Sequence, residues 1–317
     1  MDSVDVVIGD LFESPAQTWV NTVNTVGVMG KGVALEFKKR FPDMVEDYEG
    51  RCLRGEVRLG EPYLYRRESP PHILNFPTKG HWRAVSRLKD IVAGLRHLER
   101  HCVEWGITSL AVPPLGCGHG GLEWSVVGPT LYNHLAQLDI PVELYAPHGT
   151  PHEELQPRFL QLTLESAGSG DSSAALGAPK LEPGWVALVA VLDRLQLDPH
   201  HWPVGKTTFQ KLAYFAGAAG IPTELRFEKG TYGPYAEGLT RVVSRLVNHD
   251  LLEQRQLCSA IVPPGDLHVP SLGVEVAART FERREDLACP LPLPRAADRQ
   301  RRPGHLPMPD RASPFAP

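Results

Sequence analysis

Cysteine is scarce: five residues in 317 (Cys52, Cys102, Cys117, Cys258 and Cys289), widely scattered and without a C-x-x-C pair. An odd, sparse set makes neither a disulfide frame nor a zinc knuckle, and it fits the reducing cytoplasm. Long hydrophobic runs are also missing. The longest one near a helical segment, residues 185–192, is far too short to cross a bilayer, so no membrane association is expected. The opening stretch MDSVDVVIGDLF has no basic n-region and no long apolar h-region, and does not read as a signal peptide. Nor is there a strong charge of either sign. At a formal −4, any nucleic-acid substrate must meet a local basic surface rather than a basic protein. Lysine is absent from the last 62 residues, from Gln256 onward, where 11 of the 30 prolines and eight arginines collect. Proline lacks an N–H and fixes φ, so that density excludes one uniform fold across the whole chain.

Residues 1 to about 150 alternate strand and helix signals. Short β-rich runs surround Val4-Asp5-Val6-Val7-Ile8, Trp19-Val20, Ile73-Leu74, residues 107–112 and residues 142–145. Helical spacing is clearest over about 85–102, with further helices near 33–40 and 124–138. This order predicts an α/β fold, a sheet with helices on both faces, whose ligand sites lie beyond the strand carboxyl ends. A Gly-, Ser- and Pro-rich linker follows. A second, neutral stretch, 184–256, carries amphipathic patterns such as Leu239, Val242, Val243, Leu246 and Val247, and reads as a small, mostly helical domain.

Four constellations carry chemistry. Gly9-Asp10 closes the first strand, where an acid can accept from an exocyclic amine such as that of adenine, or simply cap a turn. Asn21-Thr22-Val23-Asn24 precedes Gly27-Val28-Met29-Gly30-Lys31-Gly32, a loop that lets backbone approach a ligand and opens a helix whose first N–H groups suit a phosphate. Its spacing is neither a Walker A loop nor a dinucleotide fingerprint. Leu115-Gly116-Cys117-Gly118-His119-Gly120-Gly121-Leu122 is a second glycine loop between a strand and a helix, so one diphosphate gripped from two sides is the economical reading. Cys117 has no neighbouring base in sequence and reads as structural more than nucleophilic. Asn75-Phe76-Pro77-Thr78-Lys79-Gly80-His81-Trp82 is read as a loop after a strand. It holds a lysine able to attack an electrophilic carbon or stabilise a leaving group, with His81 and Trp82 as surfaces for base stacking or for core packing.

Together these motifs resemble the DarG family of antitoxin macrodomains over roughly residues 3–148. The resemblance implies a macrodomain that binds ADP-ribose without cofactor or metal. Gly9, Asp10 and Leu11 would lie at the adenine, with Tyr145 stacking on it. Asn21 and Asn24 would face the distal ribose, with Gly30, Lys31 and Gly32 beside them, and Thr78 would also bind ADP-ribose. Leu115, Gly116, Cys117, Gly118, His119, Gly120, Gly121 and Leu122 would surround the diphosphate. It implies Lys79 and Asn21 as a catalytic pair that removes ADP-ribose from thymidine in single-stranded DNA. K-T-T-F-Q-K-L-A-Y-F-A-G and F-E-K-G-T-Y-G-P-Y-A-E-G-L resemble the family's C-terminal module and the broader antitoxin domain typified by SocA. This implies a cognate DNA-ADP-ribosylating toxin as partner, with a contact turn at Tyr232, Gly233, Pro234 and Tyr235. The expected organisation is a macrodomain over 1–155, a linker over 156–183, a helical toxin-binding domain over 184–256, and a Pro/Arg-rich tail over 257–317 that is disordered or frame-shifted. Two other readings stay open: a module that only reads ADP-ribose, and a hydrolase of protein-linked ADP-ribose.

Overall fold

A computed structural model of the chain describes residues 3–161, 181–198, 204–256 and 274–278. The first part lays down six strands: β1 (Val4–Val7), β2 (Thr18–Asn24), β3 (Tyr63–Tyr65), β4 (His72–Lys79), β5 (Leu110–Val112) and β6 (Val142–Tyr145). They form one sheet in the order β1-β6-β5-β2-β4-β3, parallel throughout except for the antiparallel edge strand β3. Parallel strands are covered on both faces and so read as near-continuous apolar runs. β4 shows this, with Ile73 through Thr78 all buried.

Two helices cover one face, α1 (Gly32–Arg40) and α2 (Pro42–Leu53). They bury Phe37, Met44 and Tyr48 against Trp19, Val23 and Ile73. The other face takes α3 (Leu88–His101) and α4 (Trp124–Leu135), which bury Ile91, Leu95, Val127 and Leu131 against Val20, Leu74 and Leu110. α3 lies close on the sheet because Gly94 leaves room for the ring of Phe76, which a Cβ there would strike. β3 and α2 were not expected from the sequence. Residues 157–161, expected as the start of a linker, form α5 (Pro157–Gln161). Leu160 is fully buried, and Asn133 donates to its carbonyl at 3.3 Å, which ties α5 to α4.

The second part contains α6 (Pro183–Gln196), α7 (Lys206–Ala218), a hairpin of β7 (Glu228–Gly230) and β8 (Gly233–Tyr235), then α8 (Leu239–Asn248) and β9 (Leu252–Gln256). Its core joins Trp185, Leu188, Leu192, Phe209, Ala213, Leu239 and Leu246. Five residues of the expected tail form β10 (Val274–Ala278), antiparallel to β9, with Val276 buried in that core. This segment of the tail contains no proline and alternates valines, which suits a strand. The rest of the tail and most of the expected linker lie outside the described residues.

The two parts belong to one compact unit. α8 is tied to the residues around the start of α3. Asn248 accepts from the Leu88 N–H at 2.7 Å and donates to the Ser86 carbonyl at 3.2 Å. Gln254 accepts from Val85 N–H at 2.8 Å, and Arg245 donates to Glu123 at 2.6 Å. Among the described residues no helix is long and apolar enough to cross a membrane.

Candidate active site

The parallel strands direct their carboxyl ends to one rim, where β2, β4 and β5 deliver the asparagines, the lysine and the second glycine loop. Ligands of such sheets sit there. A cavity of about 910 Å³ opens at this rim, with Asn24, Gly30, Lys31, Lys79, Gly116 and His119 in its wall.

Lys79 ends a strand and is not on a loop as expected. β4 continues past Leu74 and pairs with β2 as far as Asn24. Pro77 is tolerated because the register shifts between Val23 and Asn24, and such irregularities accept a residue without an N–H. Lys79 Nζ donates to the His119 carbonyl at 3.0 Å, and Thr25 Oγ1 donates to the Gly80 carbonyl at 2.7 Å. These bonds hold the amine between the two glycine loops. Burial penalises its ammonium form, and the Lys206 charge adds to the effect, so its pKa falls to about 8. Roughly one amine in ten is then neutral and nucleophilic at pH 7.

Asn24 reaches the cavity wall. Its Nδ2 donates to the Val28 carbonyl at 2.6 Å, its Oδ1 accepts from the Val26 N–H at 3.0 Å, and the Tyr48 hydroxyl donates to its carbonyl at 2.8 Å. Asn21 lies beneath. It is fully buried and donates to Asn75 Oδ1 at 2.8 Å, while its own Oδ1 and the Asn75 Nδ2 have no partner among the described residues. Strand alternation is the reason, since residue 21 shares the α1/α2 face with Trp19 and Val23.

The glycine loops fold as their composition demands. α1 starts at the cavity with Lys31 as N-cap and no side-chain capping bond, and Gly32 has φ of +58°. In the second loop Leu122 N–H returns to the Gly116 carbonyl at 3.0 Å, and a Cβ on Gly120 would strike Ser86 and Gly116. Gly116, Gly118, His119 and Gly120 reach the wall. Leu115 and Leu122 are core residues, and Gly121 rests against Thr240 and Ser244 of α8. Burial pushes the Cys117 thiol up to about 12, which removes it as a nucleophile.

Residues 20–131 match the family model of the Macro domain. The chain carries a macro domain. A DNA ADP-ribosyl glycohydrolase of Thermus aquaticus is 39% identical over 247 residues, covering 77% of this chain and 64% of that protein. One of Mycobacterium tuberculosis is 42% identical over 242 residues, covering 72% and 63%. A DNA ADP-ribosyl transferase-DNA ADP-ribosyl glycohydrolase fusion protein of Thermosipho africanus is 43% identical over 178 residues, covering 50% and 46%. The chain thus spans a little under two thirds of the length of the first two relatives.

The remaining predicted residues of the macro domain sit along the same rim, beyond β1 and β6, whose last residues Val7 and Tyr145 are register partners. Asp10 caps the short 3-10 helix Leu11–Glu13 by accepting from Phe12 N–H at 3.0 Å, the turn role of such an acid. Leu11 is buried. Tyr145 donates to Glu143 at 3.0 Å, and its ring edge lies beside Gly9. His81 is buried and Trp82 is exposed, so only Trp82 is placed to stack on a base. Asn75, Tyr48 and Lys206 were missed as site residues. Asn75 stands in the quoted N-F-P-T-K run, but the pairing that sets it opposite Asn21 is long-range.

Proposed function

We propose that the chain is a DNA ADP-ribosyl glycohydrolase antitoxin that removes ADP-ribose from thymidine bases in single-stranded DNA and counteracts a DNA-ADP-ribosylating toxin. The observation that carries this reading is Lys79, an amine with a pKa of about 8 held in the cavity between two glycine loops. A module that only reads ADP-ribose has no use for such a group. The relatives named DNA ADP-ribosyl glycohydrolase support the substrate class, and the fused transferase of Thermosipho africanus supports the toxin as partner.

In this reading the adenine lies at Gly9, Asp10, Leu11 and Tyr145. The diphosphate lies between the uncapped start of α1 and the loop 115–122, where helix N–H groups and glycine backbone receive anions. The distal ribose lies at Asn24, Gly30, Lys31, Gly32 and Thr78, above the Asn21–Asn75 pair. The neutral Lys79 amine attacks the anomeric carbon, the bond to the base breaks, and the amine proton leaves with the base. Water then displaces the lysine, giving free ADP-ribose and the free amine. Asn21, the second member of the pair, acts from beneath the cavity through the strand it pins to β4 by its bond to Asn75, and so positions the ribose site indirectly. The second module engages the toxin through its hairpin, where Tyr232 stands 79% exposed, and the chain acts in the cytoplasm.

The test is a side-by-side assay of ADP-ribosylated oligonucleotide and ADP-ribosylated protein. Release from the DNA alone supports the reading. Release from protein alone moves the substrate, and tight ADP-ribose binding with no release from either makes the domain a reader.

A further inference from the structure

We propose that Lys206, at the start of α7, belongs to the catalytic cavity and binds a backbone phosphate of the nucleic-acid strand beside the modified base. This inference rests on the function proposed above, and it gives the second module a part in substrate recognition as well as in toxin binding.

The cavity is not walled by the macro domain alone. Gly205, Lys206 and Thr207 of α7 and its cap, and Thr240 and Val243 of α8, complete it. The contacts of Asn248, Gln254 and Arg245 with residues 85–88 and Glu123 fix α8 and β9 against the macro domain, and α7 packs in the same core as α8. The cavity wall carries Lys31, Lys79, Arg83 and Lys206, and contains no Asp or Glu among the described residues. None of these four cations has a carboxylate partner among the described residues, whereas Arg87, Lys89 and Arg245 of the neighbouring helices do.

Lys206 is also badly placed for its own helix. It is the first residue of α7, whose cap, Gly205, makes no side-chain bond. A cation there opposes the positive end of the helix dipole. Lys206 keeps contact with solvent, and partial desolvation together with the Lys31 charge pushes its pKa down. A locally unfavourable choice without a compensating contact marks a functional position. The diphosphate neutralises part of this positive field at the loops and α1, and Lys206 lines the second module's side of the cavity, whose wall also includes Thr207 and Thr240. Lysines and hydroxyls are the usual partners of strand phosphates, which position a nucleic acid without reading its sequence.

The test compares the full chain with Lys206→Ala and Lys206→Arg, using an ADP-ribosylated single-stranded oligonucleotide and free ADP-ribose. Lys206→Ala is expected to raise KM for the oligonucleotide about ten-fold and to flatten the salt dependence of log(kcat/KM) by about 0.7. Its Kd for ADP-ribose by calorimetry stays within about two-fold, which also shows that the variant is folded, and Lys206→Arg restores most of the KM. An equal loss of ADP-ribose affinity, or an unchanged salt slope, overturns the inference. A wild-type chain that binds ADP-ribose but releases none from DNA overturns the function on which the inference rests.

Discussion

Lys79 ends β4 of the macro domain and Lys206 begins α7 of the second module, yet the two line one cavity and the Lys206 charge helps to lower the Lys79 pKa. Lys79 titrates near 8 first because it is buried and second because Lys206 is near. A like charge disfavours the ammonium, so removing it lets the ammonium form more easily. If the neutral amine is the reacting species, kcat on modified DNA rises with pH through about 8. In Lys206→Ala that limb moves to higher pH. A pH–rate profile of both proteins checks this; an unmoved limb, or a rate that falls as pH rises, contradicts it.

The same burial makes Lys79 costly to the fold. Its pKa is lower in the folded chain than in the unfolded one, so the unfolded state binds more protons between about 8 and the ordinary lysine value. Stability therefore rises with pH across that window. Lys79→Met removes the half-buried cation at the loss of one bond to His119. At pH 7 the variant is expected to gain about 1 kcal/mol, or roughly 2–4 °C in Tm, with the gain shrinking above pH 10. Scanning calorimetry at both pH values is the check, and a lowered Tm at pH 7 contradicts it.

α3 has Arg87 as its N-cap and no side-chain capping bond of its own. Asn248 of α8 supplies that acceptor, taking the Leu88 N–H at 2.7 Å. Asn248→Ala is expected to cost about 1 kcal/mol, the usual worth of a lost cap. Hydrogen exchange shows where: the first turn of α3 and the residues of α8 facing it lose protection together. Loss confined to α8 contradicts the capping role.

Cys117 sits in the second glycine loop with its thiol pushed up to about 12 by burial. At pH 7 its thiolate is negligible. Peptide-level mass spectrometry after iodoacetamide treatment is expected to find Cys117 unmodified in the native chain and modified after denaturation. Rapid native labelling contradicts the inert thiol.

Much of this architecture was legible in the chain. The β-branched run at 4–8, the Val-Glu-Leu-Tyr run at 142–145 and the stripe of α8 each announce one periodicity, and packing agrees with it. β3 was not legible because three residues carry no period. α2 was hidden by its charge: it buries only Met44, Val45 and Tyr48 among acidic and basic neighbours. Pro77 misled in the other direction, since a proline reads as the end of a strand unless the partner's register shift is known. The glycine loops and Lys79 were visible as local text. Burial of Asn21 depends on which face of β2 meets α2, and the place of Lys206 depends on how α7 docks. Neither is written in local spacing.

In the proposed function Lys79 performs chemistry on ADP-ribosylated DNA in a cavity that binds ADP-ribose without it. The most direct measurement is release of ADP-ribose from a modified single-stranded thymidine oligonucleotide by the full chain and by Lys79→Ala, with ADP-ribose affinity measured on both. Turnover by the wild type, loss of at least about a hundred-fold in the variant, and binding that survives the substitution are expected. Full turnover by Lys79→Ala would contradict it.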